Sequence, residues 1–355
     1  MRLTSLVAPE VRALQAYGAP PVGTDGIKLD ANEHPYPLEP TLRRAVLAAV
    51  ADTEFHRYPD PAQVALRAAL AARFGGSPDQ YIAGSGSDEA IALLTTALRA
   101  PREGRTRPSV LYPSPTFVMF GMTARLHGFE TVDVPLDANF ALDVDGMARA
   151  IRAKAPNLVF LATPNNPTGN AFDEAAIRTL IETDPGALFV VDEAYAAYAQ
   201  RSLRHLADEY ENVAIMATLS KVGFAAIRLG WVRLPPSLAA EVEKARQPYN
   251  LNTLTQRIGV EVLGPEAAAV DAAIARVVVE RAALREGLTA RNVHVFPSDA
   301  NLLLTRPTHA NAFVAKLAAK GIHVKAYREG RLAGHVRITV GTADENAALL
   351  AALDS

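Results

Sequence analysis

The chain has 355 residues, of which 49% are hydrophobic and 21% are charged, with a net charge of −2 and no cysteine. This length and apolar content predict a globular protein with a large core and a smaller lobe. The charge balance gives no attraction to nucleic acid or to an acidic membrane, and the lack of cysteine excludes disulfides and thiolate chemistry. Because we find no signal-peptide pattern and no apolar run of transmembrane length, we expect a cytoplasmic protein.

Short apolar runs between residues 85 and 235 alternate with longer amphipathic segments. The runs are at 109–113, 157–162, 187–192 and 213–218. Their hydrophobicity is continuous rather than alternating, which is typical of parallel strands that are covered on both faces. Amphipathic segments such as 173–185 are predicted to be the crossover helices. The sequence therefore predicts an α/β fold whose mostly parallel sheet is sandwiched by helices.

The pattern changes after residue 256, where a long helix is predicted over 266–288. Strands and one helix mix in the remainder, at 292–298, 300–306, 311–321 and 335–341. We therefore expect a smaller α+β domain at the C-terminal end. The expected division is an N-terminal arm (1–30), a large domain (31–252) and a small domain (253–355) that packs with the arm.

Polar side chains follow the predicted strands at the edge where open parallel sheets bind ligands. They are Asn166 in "NNPTG", Asp192 and Tyr195 after the third run, and Thr218, Ser220 and Lys221 after the fourth. Upstream, "GSGSDE" (84–89) places small residues at a predicted helix N-terminus, which is a favourable position for an anion. Each feature by itself is also common in ordinary turns and helix caps.

Lys221 differs from the other six lysines because it alone follows a buried-strand pattern. Desolvation there would lower its pKa and favour the neutral amine that forms a Schiff base. One ligand, pyridoxal phosphate, has a chemical group that matches each of these side chains. Its aldehyde would meet Lys221 and its pyridine nitrogen Asp192, while Asn166 and Tyr195 would bind the phenolic oxygen. Donors to its phosphate would come from Thr218, Ser220 and Arg228. A nucleotide is a less suitable ligand, because neither a dinucleotide fingerprint nor a P-loop occurs in the sequence.

Eleven segments, in order along nearly the whole chain, resemble fold-type I pyridoxal-phosphate aminotransferases of class II, and within these the histidinol-phosphate aminotransferases. They are "LDANEHPYP" (29–37), "RYPDP" (57–61), "GSGSDEAI" (84–91), "PSPTFVMF" (113–120), "TPNNPTG" (163–169), "VVDEAYAAY" (190–198), "TLSK" (218–221), "RLGW" (228–231), "PYNLN" (248–252), "PSDANLLL" (297–304) and "VRITVGTADEN" (336–346). The resemblance implies transamination between L-histidinol phosphate and 2-oxoglutarate in histidine biosynthesis, on pyridoxal phosphate held by Lys221.

Further site residues are implied by this resemblance. Phe117 would stack on the cofactor ring, and Ser87, Asp88 and Glu89 would form the phosphate cup. Tyr58 would reach the cofactor phosphate of the neighbouring subunit, so a homodimer is implied. The substrate's anionic group would be bound by Arg337, helped by Tyr17, Asn32 and Lys325. A guanidinium fork accepts two oxygens of either a carboxylate or a phosphate, so Arg337 could serve both substrates.

Two positions depart from the pattern of the relatives. The segment "SKVGFAAIR" has one residue fewer between Lys221 and Arg228, and Lys325 stands where relatives often have a second substrate arginine, with Arg328 close by. Two related activities stay open on the same scaffold, namely aromatic-amino-acid transamination and L-threonine-phosphate decarboxylation. A pyridoxal-phosphate-binding regulator is disfavoured, because no basic DNA-binding module precedes the aminotransferase-like region.

Overall fold

The computed structural model describes residues 3–15 and 26–354. The strands are β1 (Ile27–Leu29), β2 (Tyr81–Ser85), β3 (Ser109–Ser114), β4 (Glu130–Pro135), β5 (Leu158–Ala162), β6 (Leu188–Asp192), β7 (Val213–Thr218), β8 (Leu229–Arg233), β9 (His294–Val295), β10 (Leu302–Arg306), β11 (Ile322–Ala326) and β12 (Val336–Thr339). The helices are α1 (Pro9–Arg12), α2 (Pro40–Ala51), α3 (Val64–Phe74), α4 (Ser87–Ala97), α5 (Met119–Leu126), α6 (Val144–Lys154), α7 (Glu174–Thr183), α8 (Leu206–Glu209), α9 (Pro236–Glu243), α10 (Thr253–Leu263), α11 (Ala267–Ala290), α12 (Ala310–Ala318) and α13 (Ala343–Asp354).

Seven strands form the larger sheet, in the order β2-β8-β7-β6-β5-β3-β4. Strands β3, β5, β6 and β7 run parallel, as the apolar runs predict. Strand β4, which no apolar run marks, is also parallel to β3, and β8 is antiparallel to both of its neighbours. The parallel register places Ala162 beside Asp192 and Asp192 beside Met216. The carboxyl ends of β5, β6 and β7 therefore meet at one edge.

Helices cover this sheet on both faces, so the prediction of a sandwiched, mostly parallel sheet is confirmed. Alternate residues of β5 face opposite sides: Val159 and Leu161 pack with α6 and α7, whereas Leu158 and Phe160 pack with α4, α5 and α9. Both sets are buried completely. This two-sided burial is the physical reason why the strand sequences are apolar throughout.

A second sheet has five strands, in the order β1-β11-β12-β10-β9. The N-terminal strand β1 pairs in parallel with β11, and the other pairs are antiparallel. Its core contains Leu303, Ile338 and Phe313 together with Leu284 and Leu288 from the second half of α11. The first half of α11 packs instead with α3, α10 and the edge of the larger sheet, through Val270, Ile274 and Val277. Helix α11 thus connects the two cores.

None of the helices in the described ranges combines the length and the apolarity needed to cross a bilayer.

Candidate active site

A cavity of about 390 Å³ lies between the carboxyl edge of the larger sheet and the face of the smaller one. The larger sheet and its loops contribute Ser87, Asp88, Phe117, Asn166, Asp192, Tyr195, Thr218, Ser220, Lys221 and Arg228. Asn32, Lys325 and Arg337 line the opposite side with Asp30 and Tyr327. Thirteen of the sixteen residues that the sequence analysis selects therefore face one cavity.

Donor groups converge at one end of this cavity, around the N-terminus of α4. Strand β2 ends in the turn at Gly86, which has φ +77°, and α4 begins at Ser87 with free backbone N–H groups. The Ser220 hydroxyl accepts a hydrogen bond from Arg228 Nη1 at 3.1 Å, and Thr218 Oγ1 accepts from Ser220 N at 3.1 Å. Helix dipole, hydroxyls and guanidinium together make this end suited to a phosphate.

The loop that follows Lys221 brings Arg228 to this end of the cavity. Its backbone is left-handed, with φ 54°, and its carbonyl accepts a hydrogen bond from Gly86 N at 2.7 Å. Arg228 Nη2 lies 3.4 Å from Asp88 Oδ2, so the guanidinium lies over the α4 N-terminus. On the neighbouring strand, a Cβ at Gly230 would lie 2.3 Å from Ser87 N. Glycine at that position is what lets the turn approach β8.

Asp192 ends β6 and is only 4% exposed. Its Oδ1 accepts a hydrogen bond from Ala194 N at 2.9 Å. The pKa of Asp192 is raised to about 7, mainly by burial and also by the nearby carboxylates of Asp88 and Glu193, while the hydrogen bond from Ala194 N and the charge of Lys221 lower it. A cationic partner would stabilise the ionised form of this buried carboxylate, because a nearby opposite charge favours ionisation.

Lys221 lies at the end of a short 3₁₀ turn, Leu219–Lys221, directly after β7. Its Nζ is 5.8 Å from the ring centre of Tyr195. Within the described ranges, no hydrogen bond or ion pair involves this Nζ. Its main chain, in contrast, is fixed, because the Tyr198 hydroxyl donates to the Lys221 carbonyl at 2.5 Å. The amine is thus available inside the cavity while its backbone is held.

Arg337 connects the two sides of the cavity. Its Nη1 donates to Asn166 Oδ1 at 2.8 Å and its Nη2 to the Asp30 carbonyl at 2.5 Å. Its Nε is buried and has no partner within the described part of the chain. Asn32 is also buried, and its Nδ2 donates to the Tyr195 hydroxyl at 2.9 Å. The guanidinium therefore keeps donor capacity for a ligand.

Two predicted residues in the described ranges do not line the cavity, and a third lies outside those ranges. The Glu89 carboxylate accepts hydrogen bonds from Ser85 N and from Asn250 Nδ2, so its side chain is engaged beside the α4 turn. Tyr58 is 80% exposed and stacks on Tyr249 with 4.5 Å between ring centres. Tyr17 lies outside the described residues. The roles given to these residues stay predictions.

Some lining or supporting residues were not anticipated from the sequence. Tyr198 supports Lys221 through the hydrogen bond described above, and Asp30 and Tyr327 line the side formed by the smaller sheet. The one signal in the sequence for Tyr198 is its spacing from Tyr195 in "EAYAAY", because the two aromatic residues lie about one turn apart directly after a predicted strand. Nothing in the local sequence marks Tyr327.

Comparison with known proteins agrees with this arrangement. The sequence pattern of the family described as aminotransferase class I and II matches residues 24–353, so the chain belongs to that family. The chain is 38% identical to histidinol-phosphate aminotransferase 2 of Nitrosococcus oceani, over 99% of this chain and 97% of the relative. It is 40% identical to histidinol-phosphate aminotransferase 1 of Burkholderia lata, over 98% and 97%.

Among solved structures, histidinol-phosphate aminotransferase from Sinorhizobium meliloti in complex with pyridoxal-5′-phosphate superposes with a TM-score of 0.85. The superposition covers 98% of this chain and 96% of that chain at 23% identity. This likeness shows that the fold is that of the aminotransferases. The family depends on pyridoxal phosphate, and the cavity fits that cofactor: a buried acid at Asp192, an available amine at Lys221 and a phosphate-binding end at α4.

Proposed function

We propose that this aminotransferase moves an amino group between L-histidinol phosphate and 2-oxoglutarate. The observation that carries the choice of substrate is a pair of cations at the cavity. Lys325 on β11 and Arg337 on β12 are direct partners in the antiparallel register, and both line the cavity. Two adjacent cations suit a phosphate ester, which carries more charge than a single carboxylate.

The residues at the other side would hold the cofactor. Asp192 supports the protonated ring nitrogen, Asn166 and Tyr195 bind the phenolic oxygen, and Phe117 stacks on the ring. Ser87, Asp88, Thr218, Ser220 and Arg228 surround the phosphate. When bound, pyridoxal phosphate supplies an electron sink for the electrons released at the substrate's α-carbon.

Lys221 is the proposed acid–base group, and its Nζ carries the proton that leaves and returns at the substrate carbon. Arg337 holds the carboxylate of glutamate in one half-reaction and the phosphate of histidinol phosphate in the other. Asn32 orients Tyr195 through the 2.9 Å hydrogen bond. Lys325 adds a second positive charge near the phosphate. Tyr17 and Glu89 keep the roles expected from the resemblance.

The direct test is to incubate the purified protein and pyridoxal phosphate with histidinol phosphate and 2-oxoglutarate and to measure glutamate. Parallel reactions with phenylalanine and with threonine phosphate distinguish the related activities. We expect the largest kcat/KM for histidinol phosphate. A larger value for phenylalanine, or carbon dioxide release from threonine phosphate, would assign a different substrate to the same cavity.

We also propose a homodimer in which Tyr58 completes the partner's phosphate site. Support comes from the exposure of Tyr58 together with Phe55, both 80% exposed on the same segment. Mixing inactive Lys221→Ala and Tyr58→Ala proteins should restore activity, because a mixed dimer contains one intact site. Full exchange gives about a quarter of the wild-type sites. If every mixing ratio stays inactive, Tyr58 acts within its own subunit.

The cytoplasmic location and the domain division at residues 30 and 252 stay predictions.

A further inference from the structure

Arg281 lies where helix α11 passes from one core to the other. Val277 on its N-terminal side belongs to the core beside the larger sheet, and Leu284 on its C-terminal side belongs to the core of the smaller sheet. The side chain is half-buried, and none of the ion pairs found in the described ranges includes it. A guanidinium so placed, with no carboxylate partner, must satisfy its donors elsewhere.

Arg281 Nη1 donates to two main-chain carbonyls that belong to different parts of the fold. One is the carbonyl of Tyr198, at 3.2 Å, in the turn that follows β6. The other is the carbonyl of Ala300, at 2.9 Å, in the loop before β10. A single charged nitrogen therefore joins a loop of the larger sheet to a loop of the smaller one. Hydrogen bonds from a charged donor are stronger than neutral ones.

The Tyr198 branch leads to Lys221. Tyr198 is 2% exposed, and its hydroxyl donates to the Lys221 carbonyl at 2.5 Å. Burial raises the pKa of Tyr198, so the hydroxyl keeps its proton and remains a donor. The 3₁₀ turn that ends at Lys221 is also held by Val222 N and Phe224 N, which both donate to Leu219 O at 3.2 Å, and by Ser220 N, which donates to Thr218 Oγ1. Tyr198 thus supplies the one side-chain bond to the Lys221 main chain within the described residues.

The Ala300 branch leads to Tyr195. The next residue, Asn301, is fully buried, and its Nδ2 donates to the Asn32 carbonyl at 3.2 Å. Asn32 Nδ2 in turn donates to the Tyr195 hydroxyl at 2.9 Å. Ala300 also packs against Tyr195. The two branches that start at Arg281 therefore end at two different residues of the cavity.

We propose that Arg281 and Tyr198 are positioning residues that fix the main chain of Lys221 relative to the smaller sheet. This inference rests on the proposed role of Lys221. Arg281 touches neither substrate nor cofactor; it acts by holding the Tyr198 turn, and Tyr198 acts by holding the Lys221 carbonyl. Without this support the amine samples positions away from the reacting carbon, which lowers the rate of the proton transfer.

The first test uses the cofactor-free protein and amide hydrogen exchange of a peptide covering residues 219–228. Tyr198→Phe removes the hydroxyl and keeps the ring, so the fold is preserved and exchange in this peptide should rise. Arg281→Met should raise exchange in the same peptide and also in one covering 298–304. Arg285→Met is the matched control, because Arg285 is one turn further along α11, is exposed, and makes no side-chain hydrogen bond among those found in the described ranges.

The second test is steady-state kinetics with the cofactor-saturated enzyme. Tyr198→Phe should lower kcat about tenfold and leave both KM values within about twofold, because the defect is in orientation and not in substrate binding. Arg281→Met should lower kcat at least as much, and the double variant should be no worse than Arg281→Met alone, since both changes break one chain of contacts. Arg285→Met should match the wild type.

Unchanged exchange and unchanged kcat in Tyr198→Phe would overturn the proposal, whether or not Arg281→Met folds. A fall in melting temperature with normal kcat and normal exchange in residues 219–228 would also overturn it, because the two residues would then be only structural. The exchange experiment needs neither cofactor nor substrate. Its result therefore stands even if Lys221→Ala retains activity, which would contradict the proposed function instead.

Discussion

The two sides of the cavity differ in how fully their polar groups are engaged. On the side of the larger sheet, Asp192, Thr218 and Ser220 are buried and bonded to main-chain or side-chain neighbours. On the side of the smaller sheet, Lys325 is exposed, and Arg337 keeps a buried Nε without a partner in the described ranges. The first side is built to hold one fixed group, and the second has donors left for a group that changes between half-reactions. The reaction and the choice of substrate should therefore be separable by mutation.

The largest effect is expected on the first side, from Lys221→Ala. This change removes the amine that we propose binds the cofactor and moves the proton, so kcat should fall by at least about 10⁴-fold. The visible absorbance of the lysine-bound cofactor should disappear as well. Lys244→Ala is the control, since Lys244 is an exposed lysine paired with Glu241. Transamination retained in Lys221→Ala would contradict the assignment of this lysine.

Asp192→Asn should come next, with a loss in kcat of about 10²- to 10³-fold, because a neutral amide does not support a cationic ring. The fold should be retained. Unchanged kcat would mean that another group keeps the ring protonated.

The raised pKa of Asp192 also affects the stability of the cofactor-free wild-type protein, and Asp192→Asn provides the comparison. Since burial raises the pKa of Asp192 to about 7, the folded state holds a proton that the unfolded chain loses near its ordinary value of 3.8. The free energy of unfolding should therefore fall as pH rises from about 4 to about 7, by up to about 4 kcal/mol. Urea unfolding at several pH values should show this fall in the wild type and much less of it in Asp192→Asn. An equal pH dependence in both proteins would place the titrating group elsewhere.

On the other side, Arg337→Ala should lower kcat/KM for glutamate and for histidinol phosphate, each by about 10²-fold, through loss of a charge-assisted fork. Arg337→Lys keeps the charge without the fork, so it should recover only part of the loss. If one substrate alone is affected, Arg337 does not serve both half-reactions.

The smallest effect is expected from Lys325→Ala, about tenfold in kcat/KM and confined to the phosphorylated substrate, because a point charge near the phosphate is removed. Kinetics with glutamate should stay normal. Lys320→Ala, on the surface before β11, is the matched control. An equal loss with glutamate would show that Lys325 acts on the cavity as a whole and not on the phosphate.

The four central strands of the larger sheet, β7, β6, β5 and β3, could be predicted from the sequence, whereas its other three strands and two strands of the smaller sheet could not. Each apolar run from 109 to 218 became a parallel strand, because burial on both faces leaves a continuous signal. Strand β11 was not predicted, because "IHVKA" is only partly buried and lacks the continuous apolar run that marks the buried strands of the larger sheet. Strand β1 has three residues and pairs with a strand almost 300 positions away, and no local pattern carries such a pairing.

The site shows the same contrast. Residues at the carboxyl ends of β5, β6 and β7 could be placed together from topology alone. The left-handed backbone at Arg228 could not, because it depends on the contact of its carbonyl with Gly86. Tyr198 and Arg281 were missed for a related reason. Their contacts are to main-chain carbonyls, and a carbonyl has the same chemistry whatever residue carries it.

Gly230 gives the protein a mutational weak point outside the cavity. Any larger residue there would push against the main chain at Gly86 and Ser87, and a rigid backbone yields less readily than a flexible side chain. Natural variation at this position should therefore be limited, because a larger residue would displace the turn that is expected to hold the cofactor. The limit would not come from any contact between residue 230 and the cofactor. A larger side chain at this position should therefore weaken retention of the cofactor, even though Gly230 does not line the cavity.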